Sequence, residues 1–207
     1  NNTSPVFAGN PTAGVRFAEG TSNVTFNGPV FSNNGGDGIN NTILFSNGGA
    51  ANTIIFNAAV NAVQNGTGTN QITYFGNFAN VQFNSNVQVS NTAPNTSYIG
   101  FGMSAGGCTM AAGNTISIGP GGFNDGFLYI RRFTQLGTVP VNLTLTGTDA
   151  QVQFGPLSNI GGNVTVVSPG IFLQTTTFNG TSSFTQNGVI DTWSPGGNTF
   201  IGDCIMS

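Results

Sequence analysis

The sequence predicts an all-β fold, a parallel β-helix with three short strands in each coil and a coil repeat of 27–30 positions. A four-residue pattern of an apolar residue, any residue, Phe and Asn recurs at 24–27, 54–57 and 81–84, at spacings of 30 and then 27. Two further sets of residues recur together with this pattern. One set is Val30, Val60 and Val87, and the other consists of the pairs Ile43/Phe45, Ile72/Tyr74 and Ile99/Phe101. Because three short segments recur together, each period is interpreted as one turn of a solenoid, in which equivalent residues stack.

The first coil defines the expected elements. We expect strands near 24–26, 30–32 and 42–45, with the strands of later coils in register. The period of two within a strand turns Val24 and Phe26 to one side and Thr25 to the other. Parallel pairing of equivalent strands then buries rows of Phe, Val and Ile, while asparagines at equivalent turns form hydrogen-bonded ladders. Residues 1–22 are expected to form an N-terminal cap or strand.

The repeat weakens after Phe101, so the solenoid over 23–190 is predicted to carry an insertion at 102–138. Small residues fill 102–113, and the alternation resumes with the equivalent pairs Ile116/Ile118, Leu143/Leu145 and Val164/Val166. The segment 120–138 is the expected excursion, and its candidate interaction loop consists of Asp125, Tyr129, Arg131 and Arg132. In a purely structural alternative, the two arginines pair with Asp125 or contact carbonyl groups of turns.

The sequence repeat does not continue through residues 191–207, which are interpreted as a C-terminal cap or as a junction to a partner. A solenoid's final strand edges invite association unless they are blunted, which is what a cap achieves. The segment contains Trp193 and Cys204, and the chain's other cysteine is Cys108. An even number of cysteines is compatible with a disulfide in an oxidising compartment, and two free thiols are the equal alternative.

The composition argues against most catalytic chemistry. The chain has no His, no Lys and three Arg, and its net charge is −3. Ser-His-Asp and Cys-His catalysis are therefore excluded, and a salt-dependent contact with nucleic acid is not expected. The six carboxylates are spread along the chain, which argues against glycoside hydrolysis and calcium sites. We expect no enzymatic activity, no catalytic residue, no cofactor, no metal site and no membrane span.

Candidate glycosylation sites are the acceptor asparagines of Asn-x-Ser/Thr sequences, which matter only if the source organism glycosylates its secreted proteins. They are Asn1, Asn2, Asn23, Asn40, Asn65, Asn95, Asn142, Asn163 and Asn179. Attached sugars would supply some of the solubility that the few charged residues do not.

Over roughly residues 15–190 the chain resembles the parallel β-helix passenger domains of bacterial autotransporters and related surface adhesins. The resemblance lies in Asn-rich strings: Asn23-Val-Thr-Phe-Asn-Gly, Thr53-Ile-Ile-Phe-Asn and Asn80-Val-Gln-Phe-Asn-Ser-Asn-Val-Gln-Val. It implies a secreted protein of the cell surface that binds host or neighbouring cells. The very low charge and the two cysteines depart from the family's pattern.

We therefore expect a non-enzymatic extracellular surface protein that acts as an adhesin or structural scaffold. Its expected partners are other copies of itself or a cell-surface receptor or glycan. The alternative is a self-assembling subunit of an extracellular filament or pilus, joined through exchange of a terminal strand, whose fold would be a β-sandwich or jelly roll. The β-helix is preferred because a sandwich gives no reason for three registers to repeat together.

A third class of function, binding of ice or carbohydrate on a flat face, requires a regular outward row of threonine or aromatic side chains. The outward positions Thr25, Ile55 and Gln82 do not repeat. This irregularity counts against a flat binding face on these strands.

Overall fold

A computed structural model describes residues 14–18, 23–37, 40–45, 52–94, 97–190 and 194–207 of the chain. These residues form 23 strands, numbered β1 to β23 in chain order, and no helix. The strands pair in parallel within three sheets, here called A, B and C, and the chain visits the sheets in that order up to β21. The predicted parallel β-helix is therefore confirmed.

The strand bounds follow the three sheets. Sheet A consists of β1 (Gly14–Phe17), β4 (Thr42–Phe45), β7 (Ile72–Phe75), β10 (Tyr98–Phe101), β13 (Phe127–Ile130), β16 (Gln151–Phe154) and β19 (Gly170–Leu173). Sheet B consists of β2 (Val24–Phe26), β5 (Thr53–Phe56), β8 (Asn80–Phe83), β11 (Cys108–Met110), β14 (Phe133–Gln135), β17 (Ser158–Ile160), β20 (Thr176–Phe178) and β22 (Thr199–Phe200). Sheet C consists of β3 (Val30–Asn34), β6 (Val60–Gln64), β9 (Val87–Asn91), β12 (Ile116–Phe123), β15 (Val141–Thr144), β18 (Val164–Ser168), β21 (Ser182–Gln186) and β23 (Cys204–Met206).

In the first three coils, sheets B and C keep the predicted spacing. Val30 pairs with Val60 and Val60 with Val87, so this register is confirmed. The sheet B register is confirmed in the same way by the neighbours Phe26, Phe56 and Phe83. Each of these sheet C valines follows the first residue of the sheet B register by six positions, which means that a short corner of fixed length joins the two sheets.

A ladder of asparagines lines this short corner. Asn57 Nδ2 donates a hydrogen bond to Asn27 Oδ1 at 2.8 Å, and Asn84 Nδ2 donates to Asn57 Oδ1 at 2.8 Å. The backbone N–H groups of Asn57 and Asn84 also donate to the Phe26 and Phe56 carbonyls of the preceding coil. The predicted ladder of turn asparagines is confirmed at this corner.

Sheet A differs from the predicted register by one residue. Phe45 pairs with Phe75, not with Tyr74. The inner pair of this coil is therefore Thr73 and Phe75, which are buried, while Ile72 and Tyr74 face outward. The spacings in this sheet are 30 and then 26, rather than 29 and 27, because the next inward phenylalanine is residue 101.

Residues 102–138 continue the solenoid, so the predicted insertion is wrong. Cys108 pairs with Val81 and Met110 with Phe83, at the same spacing that separates Val81 from Ile54 one coil earlier. The strands β12, β13 and β14 then extend sheets C, A and B. The sequence pattern missed β11 because residues 108–110 lack the Phe-Asn ending of earlier sheet B strands. A register shift between Ile118 and Phe123 is the local irregularity of this segment.

The later equivalences in sheet C also need a correction. Leu143 pairs with Val166, rather than with Val164, which instead pairs with Val141. This shift of two residues leaves the buried side chains on the same side of the strand because the side-chain period is two. The inward positions were thus predicted correctly, although their partners were not.

The coils are longer near the start of the chain than near its end. In sheet C, Val30 pairs with Val60 near the start, whereas Val164 pairs with Ser182 near the end, so the separation in sequence falls from 30 to 18. The short coil consists of three equal steps of six, since β18, β19, β20 and β21 begin at residues 164, 170, 176 and 182. Most of the additional residues of the longer coils lie in the connections from sheet C to A and from A to B.

Both terminal segments, the first expected as a cap or strand and the second as a cap, contain solenoid strands. β1 lies within residues 1–22 and pairs with β4. β22 and β23 lie within residues 191–207 and extend sheets B and C. Trp193 lies outside the described residues. The solenoid therefore extends beyond the range 23–190 at both ends.

Two columns of stacked phenylalanines fill the first half of the core. In sheet A the ring centroids of Phe17, Phe45, Phe75 and Phe101 are 5.0, 4.8 and 5.2 Å apart in turn. In sheet B those of Phe26, Phe56 and Phe83 are 5.0 and 5.3 Å apart. The columns meet edge to face, as between Phe56 and Phe75, whose centroids are 5.9 Å apart with a 71° interplanar angle. Both arrangements are favourable for aromatic rings, and the predicted phenylalanine core is confirmed.

Candidate binding face

The outer side of sheet A carries a cluster of aromatic side chains. Each strand of this sheet places its second and fourth residues in the core, so its first and third residues face outward. The cluster, called the aromatic face below, consists of the outward residues Tyr74 of β7, Tyr98 of β10, and Phe127 and Tyr129 of β13. All four side chains are partly exposed.

The rings of the aromatic face contact one another across three strands. The centroids of Tyr74 and Tyr98 are 5.4 Å apart, and those of Tyr98 and Tyr129 are 5.6 Å apart in an edge-to-face arrangement. Phe127 and Tyr129 stack within one strand at 5.5 Å and 2°. Gly100 lies between Tyr74 and Tyr129, and Met103 lies over it, since a Cβ at Gly100 would meet the Met103 Sδ at 2.5 Å. The cluster is thus a continuous, preorganised surface.

Arg131 extends the aromatic face with a positive charge. Its guanidinium carbon lies 4.4 Å from the centroid of the Tyr129 ring, a cation–π contact. Its Nη2 donates a hydrogen bond to Gln153 Oε1 at 3.1 Å. Among the described residues, no carboxylate contacts this guanidinium, and its buried Nε has no hydrogen-bond partner. The sequence alternatives for Arg131, a pair with Asp125 or contact with turn carbonyls, are therefore wrong.

The other two residues of the predicted interaction loop have structural contacts. Asp125 accepts a hydrogen bond from the Gly126 N–H at 2.7 Å. Arg132 has a positive φ of 44°, its N–H donates to the Pro156 carbonyl at 3.0 Å, and its carbonyl accepts from the Cys108 N–H at 2.9 Å. The structure thus brings together Tyr129 and Arg131, and it does not join Asp125 to them by any described contact.

Sequence reasoning missed Tyr74, Tyr98 and Phe127 as members of this face. The signal was present, because the sequences of β7, β10 and β13 (ITYF, YIGF and FLYI) have large apolar or aromatic residues at both inward and outward positions. The one-residue error in β7 turned Tyr74 toward the core. A flat outward row was then sought on sheet B, where Thr25, Ile55 and Gln82 differ, instead of on sheet A.

Two tyrosines of the aromatic face have raised pKa values. Burial raises the pKa of Tyr74, and contacts with Tyr98 add to that rise. Burial also raises the pKa of Tyr129, against the influence of Arg131. Both phenols are therefore neutral at physiological pH and act as hydrogen-bond donors and acceptors. The face thus offers aromatic surface, hydroxyl and amide groups and one guanidinium.

We expect the stability of the fold to change little between pH 7 and pH 3, and to fall above about pH 9. Burial raises the pKa of the Asp125 carboxyl, so the folded chain holds this proton more readily than the unfolded chain, and acid does not weaken folding through this group. The raised pKa values of Tyr74, Tyr129 and Cys108 mean that the stability they contribute is lost as the pH rises through their unfolded values. Thermal unfolding followed by far-UV circular dichroism at pH 3, 7 and 11 tests this, and a cooperative loss of β signal on acidification would contradict it.

The two cysteines are free, so the disulfide alternative is wrong. Cys108 is buried in sheet B, where its Sγ contacts the Phe75 carbonyl oxygen at 3.3 Å, and Cys204 is exposed in sheet C. Four strand steps along sheet B separate their coils, which corresponds to roughly 19 Å at the usual strand spacing. A disulfide requires Cα atoms within about 7 Å.

The described glycosylation candidates differ in how their side chains are engaged. Asn65 and Asn142 are exposed. The side-chain oxygens of Asn23, Asn40 and Asn163 each accept a hydrogen bond from a neighbouring coil. The Nδ2 of Asn179, the atom that glycosylation modifies, donates to Asn159 Oδ1 and to the Ile160 carbonyl. The remaining candidates, Asn1, Asn2 and Asn95, lie outside the described residues.

Neither a metal centre nor a known relative adds to this picture. Within the described residues, no group of three or more His, Cys, Asp or Glu side chains could hold a metal ion. No helix there is long and apolar enough to cross a membrane. Comparisons with models of protein families, with curated proteins and with solved structures find no match.

Proposed function

We propose that this chain is a non-enzymatic extracellular surface protein, an adhesin-type scaffold, that binds a glycan through the aromatic face of sheet A. The observation that carries the proposal is the continuous cluster of Tyr74, Tyr98, Phe127 and Tyr129, with Arg131 at its end. Tyrosine suits a binding surface because it supplies large, rigid contact area and a hydroxyl at low entropic cost.

The chemistry of the face matches a sugar chain. The C–H groups of a sugar ring carry partial positive charge, and they are attracted to the negative π surface of an aromatic ring. Sugar hydroxyls pair with tyrosine hydroxyls and with the amide of Gln153, which is the neighbour of Tyr129 in sheet A. The guanidinium of Arg131, which lacks a carboxylate partner among the described residues, can receive the carboxylate of an acidic sugar.

The low charge of the chain supports the same choice of partner. A net charge of −3 without any lysine gives little attraction to nucleic acid or to an anionic membrane. Recognition of a glycan relies instead on close aromatic contact and neutral hydrogen bonds, and these are the groups that sheet A provides.

The test is direct binding of the purified chain to immobilised polysaccharides, with a neutral β-glucan, chitin and polygalacturonate as probes. The double variant Tyr98→Ala/Tyr129→Ala is expected to bind the best of these probes about tenfold more weakly, since each aromatic contact contributes roughly 0.5–1.5 kcal/mol. The matched control is Asn142→Ala/Thr165→Ala on the exposed side of sheet C, which should bind like the unchanged chain. Equal binding by both variants, or no binding of the unchanged chain to any probe, would contradict the proposal.

A further inference from the structure

The Arg131 side chain lies against a glycine of the next coil. β13 and β16 pair through Ile130 and Phe154, so the residues that follow this pair, Arg131 and Gly155, are also neighbours. The Gly155 N–H donates to the Ile130 carbonyl at 2.8 Å, which fixes the two main chains relative to each other. A Cβ atom at Gly155 would clash with Arg131 Cγ and would lie 2.9 Å from its Cδ and 3.1 Å from its Nε. The arginine therefore occupies space that a side chain at residue 155 would fill.

The terminal nitrogens of the Arg131 guanidinium are accessible to a ligand. The Tyr129 ring covers one side of the guanidinium, whose carbon lies 4.4 Å from the ring centroid. Nη2 donates to Gln153 Oε1 at 3.1 Å, and the buried Nε has no hydrogen-bond partner. Nη1 is not buried, and its two N–H groups have no partner among the described residues. The side chain thus holds a positive group in a fixed place with donors directed away from the protein.

The charge of Arg131 acts on the aromatic face and not on a carboxylate. It lowers the pKa of Tyr74 and of Tyr129, against the larger effect of burial. The pKa of Asp125 is raised by burial and by the nearby Asp149, with no influence from this arginine. Among the described residues, the positive charge therefore has no counter-ion, and it adds to the surface that the tyrosines form.

We infer, on the basis of the proposed function, that the glycan bound by the aromatic face is acidic, with Arg131 as the specificity-determining residue and Gly155 as its positioning residue. A guanidinium that is partly withdrawn from water and lacks an anion favours a ligand that supplies one. Its planar fork of donors forms short, charge-assisted hydrogen bonds with oxyanions. The anionic group is a carboxylate in a uronic acid chain and a sulfate ester in a sulfated chain.

Two matched pairs of polymers test this specificity and distinguish the two anionic groups. Polygalacturonate is compared with its fully methyl-esterified form, and a sulfated galactan with its desulfated form. The unchanged chain is expected to bind one of the acidic polymers about tenfold more tightly than its neutral counterpart, because hydrogen bonds to charged groups are the stronger ones. Arg131→Gln should bind the two members of that pair equally, and should bind the neutral member as the unchanged chain does.

Arg132→Gln is the matched control, since it removes the same charge from the adjacent residue. Arg132 has a positive φ of 44° and makes its described hydrogen bonds through the backbone, so the control should keep the preference for the acidic polymer. Loss of the preference in both variants would assign it to net charge and would overturn the role of Arg131. Equal binding of both members of each pair by the unchanged chain, with weaker binding of both by Tyr98→Ala/Tyr129→Ala, would overturn the acidic specificity and leave the proposed function standing. Binding to none of the polymers would contradict the proposed function itself.

Gly155→Ala tests the positioning of the arginine. The added Cβ displaces the Arg131 side chain, so binding of the acidic polymer should weaken about tenfold while binding of its neutral counterpart is unchanged. Retained binding of the neutral polymer shows that the aromatic face is still folded. Gly155→Ala/Arg131→Gln should bind like Arg131→Gln alone, because changes at two residues in contact are not additive when one acts through the other. A further loss in the double variant, or weaker binding of both polymers in Gly155→Ala, would overturn the positioning role of Gly155.

Discussion

The variant Phe75→Ala is expected to lose about 3–5 kcal/mol of unfolding free energy, the range found for large-to-small changes in well-packed cores. Phe75 is fully buried, and its ring stacks between those of Phe45 at 4.8 Å and Phe101 at 5.2 Å. It also meets the rings of Phe56 and Phe83 edge to face. Truncation leaves a cavity that four rings border, and these rings cannot close it without giving up their own stacking.

Phe78→Ala is the matched control for this prediction. Phe78 lies three residues further along the chain and is 44% exposed, so its truncation should cost less than about 1 kcal/mol. Urea unfolding followed by circular dichroism gives both free energies, provided that the slopes of the transitions agree. Similar losses in the two variants would contradict the inward position of Phe75 and would restore the register in which Tyr74 belongs to the core.

The parts of the fold that the sequence predicted well are those whose corners have constant length. Val24, Ile54 and Val81 are followed six residues later by Val30, Val60 and Val87, since the same asparagine-lined corner joins sheets B and C in each coil. A fixed spacing carries the register of one strand over to the next. The repeat in the sequence therefore predicted both sheets.

Sheet A could not be predicted in the same way, because the connections that lead to it vary in length. The step from sheet C to sheet A is the same from Val30 to Thr42 and from Val60 to Ile72, but it is one position shorter from Val87 to Tyr98. A slip of one residue exchanges the two faces of a strand. Apolar patterning did not correct the slip in β7, since this strand has Ile72 and Tyr74 on one face and Phe75 on the other.

The candidate binding face was hidden by the same ambiguity. A strand with apolar residues on both faces resembles a fully buried strand, and the sequence does not say which side the other sheets cover. The prediction of an interaction loop found Tyr129 and Arg131 because charge is rare in this chain. The tyrosines of β7 and β10 have no such marker, and only the register of three paired strands places them beside Tyr129.

Gln135 is a polar residue in an otherwise apolar column of the core, and its neighbour in the preceding coil is Met110. Its Nε2 donates to the carbonyls of Asn114 at 3.2 Å and Val139 at 2.8 Å, and its Oε1 accepts from the Gly162 N–H at 3.2 Å. These three backbone groups belong to three successive connections from sheet B to sheet C. One buried side chain thus holds three corners together.

These corners include the places where the constant spacing fails. Most steps from sheet B to sheet C span six residues, but those from Cys108 to Ile116 and from Phe133 to Val141 span eight. In each wider corner one backbone carbonyl, of Asn114 in the first and of Val139 in the second, accepts a hydrogen bond from the buried Gln135 amide. Gln135 satisfies both carbonyls from inside the core, so a polar residue is required where the stacking of like residues predicts an apolar one.

Gln135→Leu is therefore expected to destabilise the fold by about 3 kcal/mol, although leucine is apolar and of similar size. The substitution removes three hydrogen bonds and leaves buried backbone groups without partners, each at a cost of roughly 1–3 kcal/mol, against a partial gain from apolar burial. Met110→Leu, one coil earlier in the same column, is the matched control and should cost less than about 1.5 kcal/mol. Urea unfolding measures both, and hydrogen exchange of the Gly162 amide should accelerate only in Gln135→Leu. A variant as stable as the unchanged chain would show that these corners are held by their own backbone contacts, and that the column tolerates an apolar residue at every level.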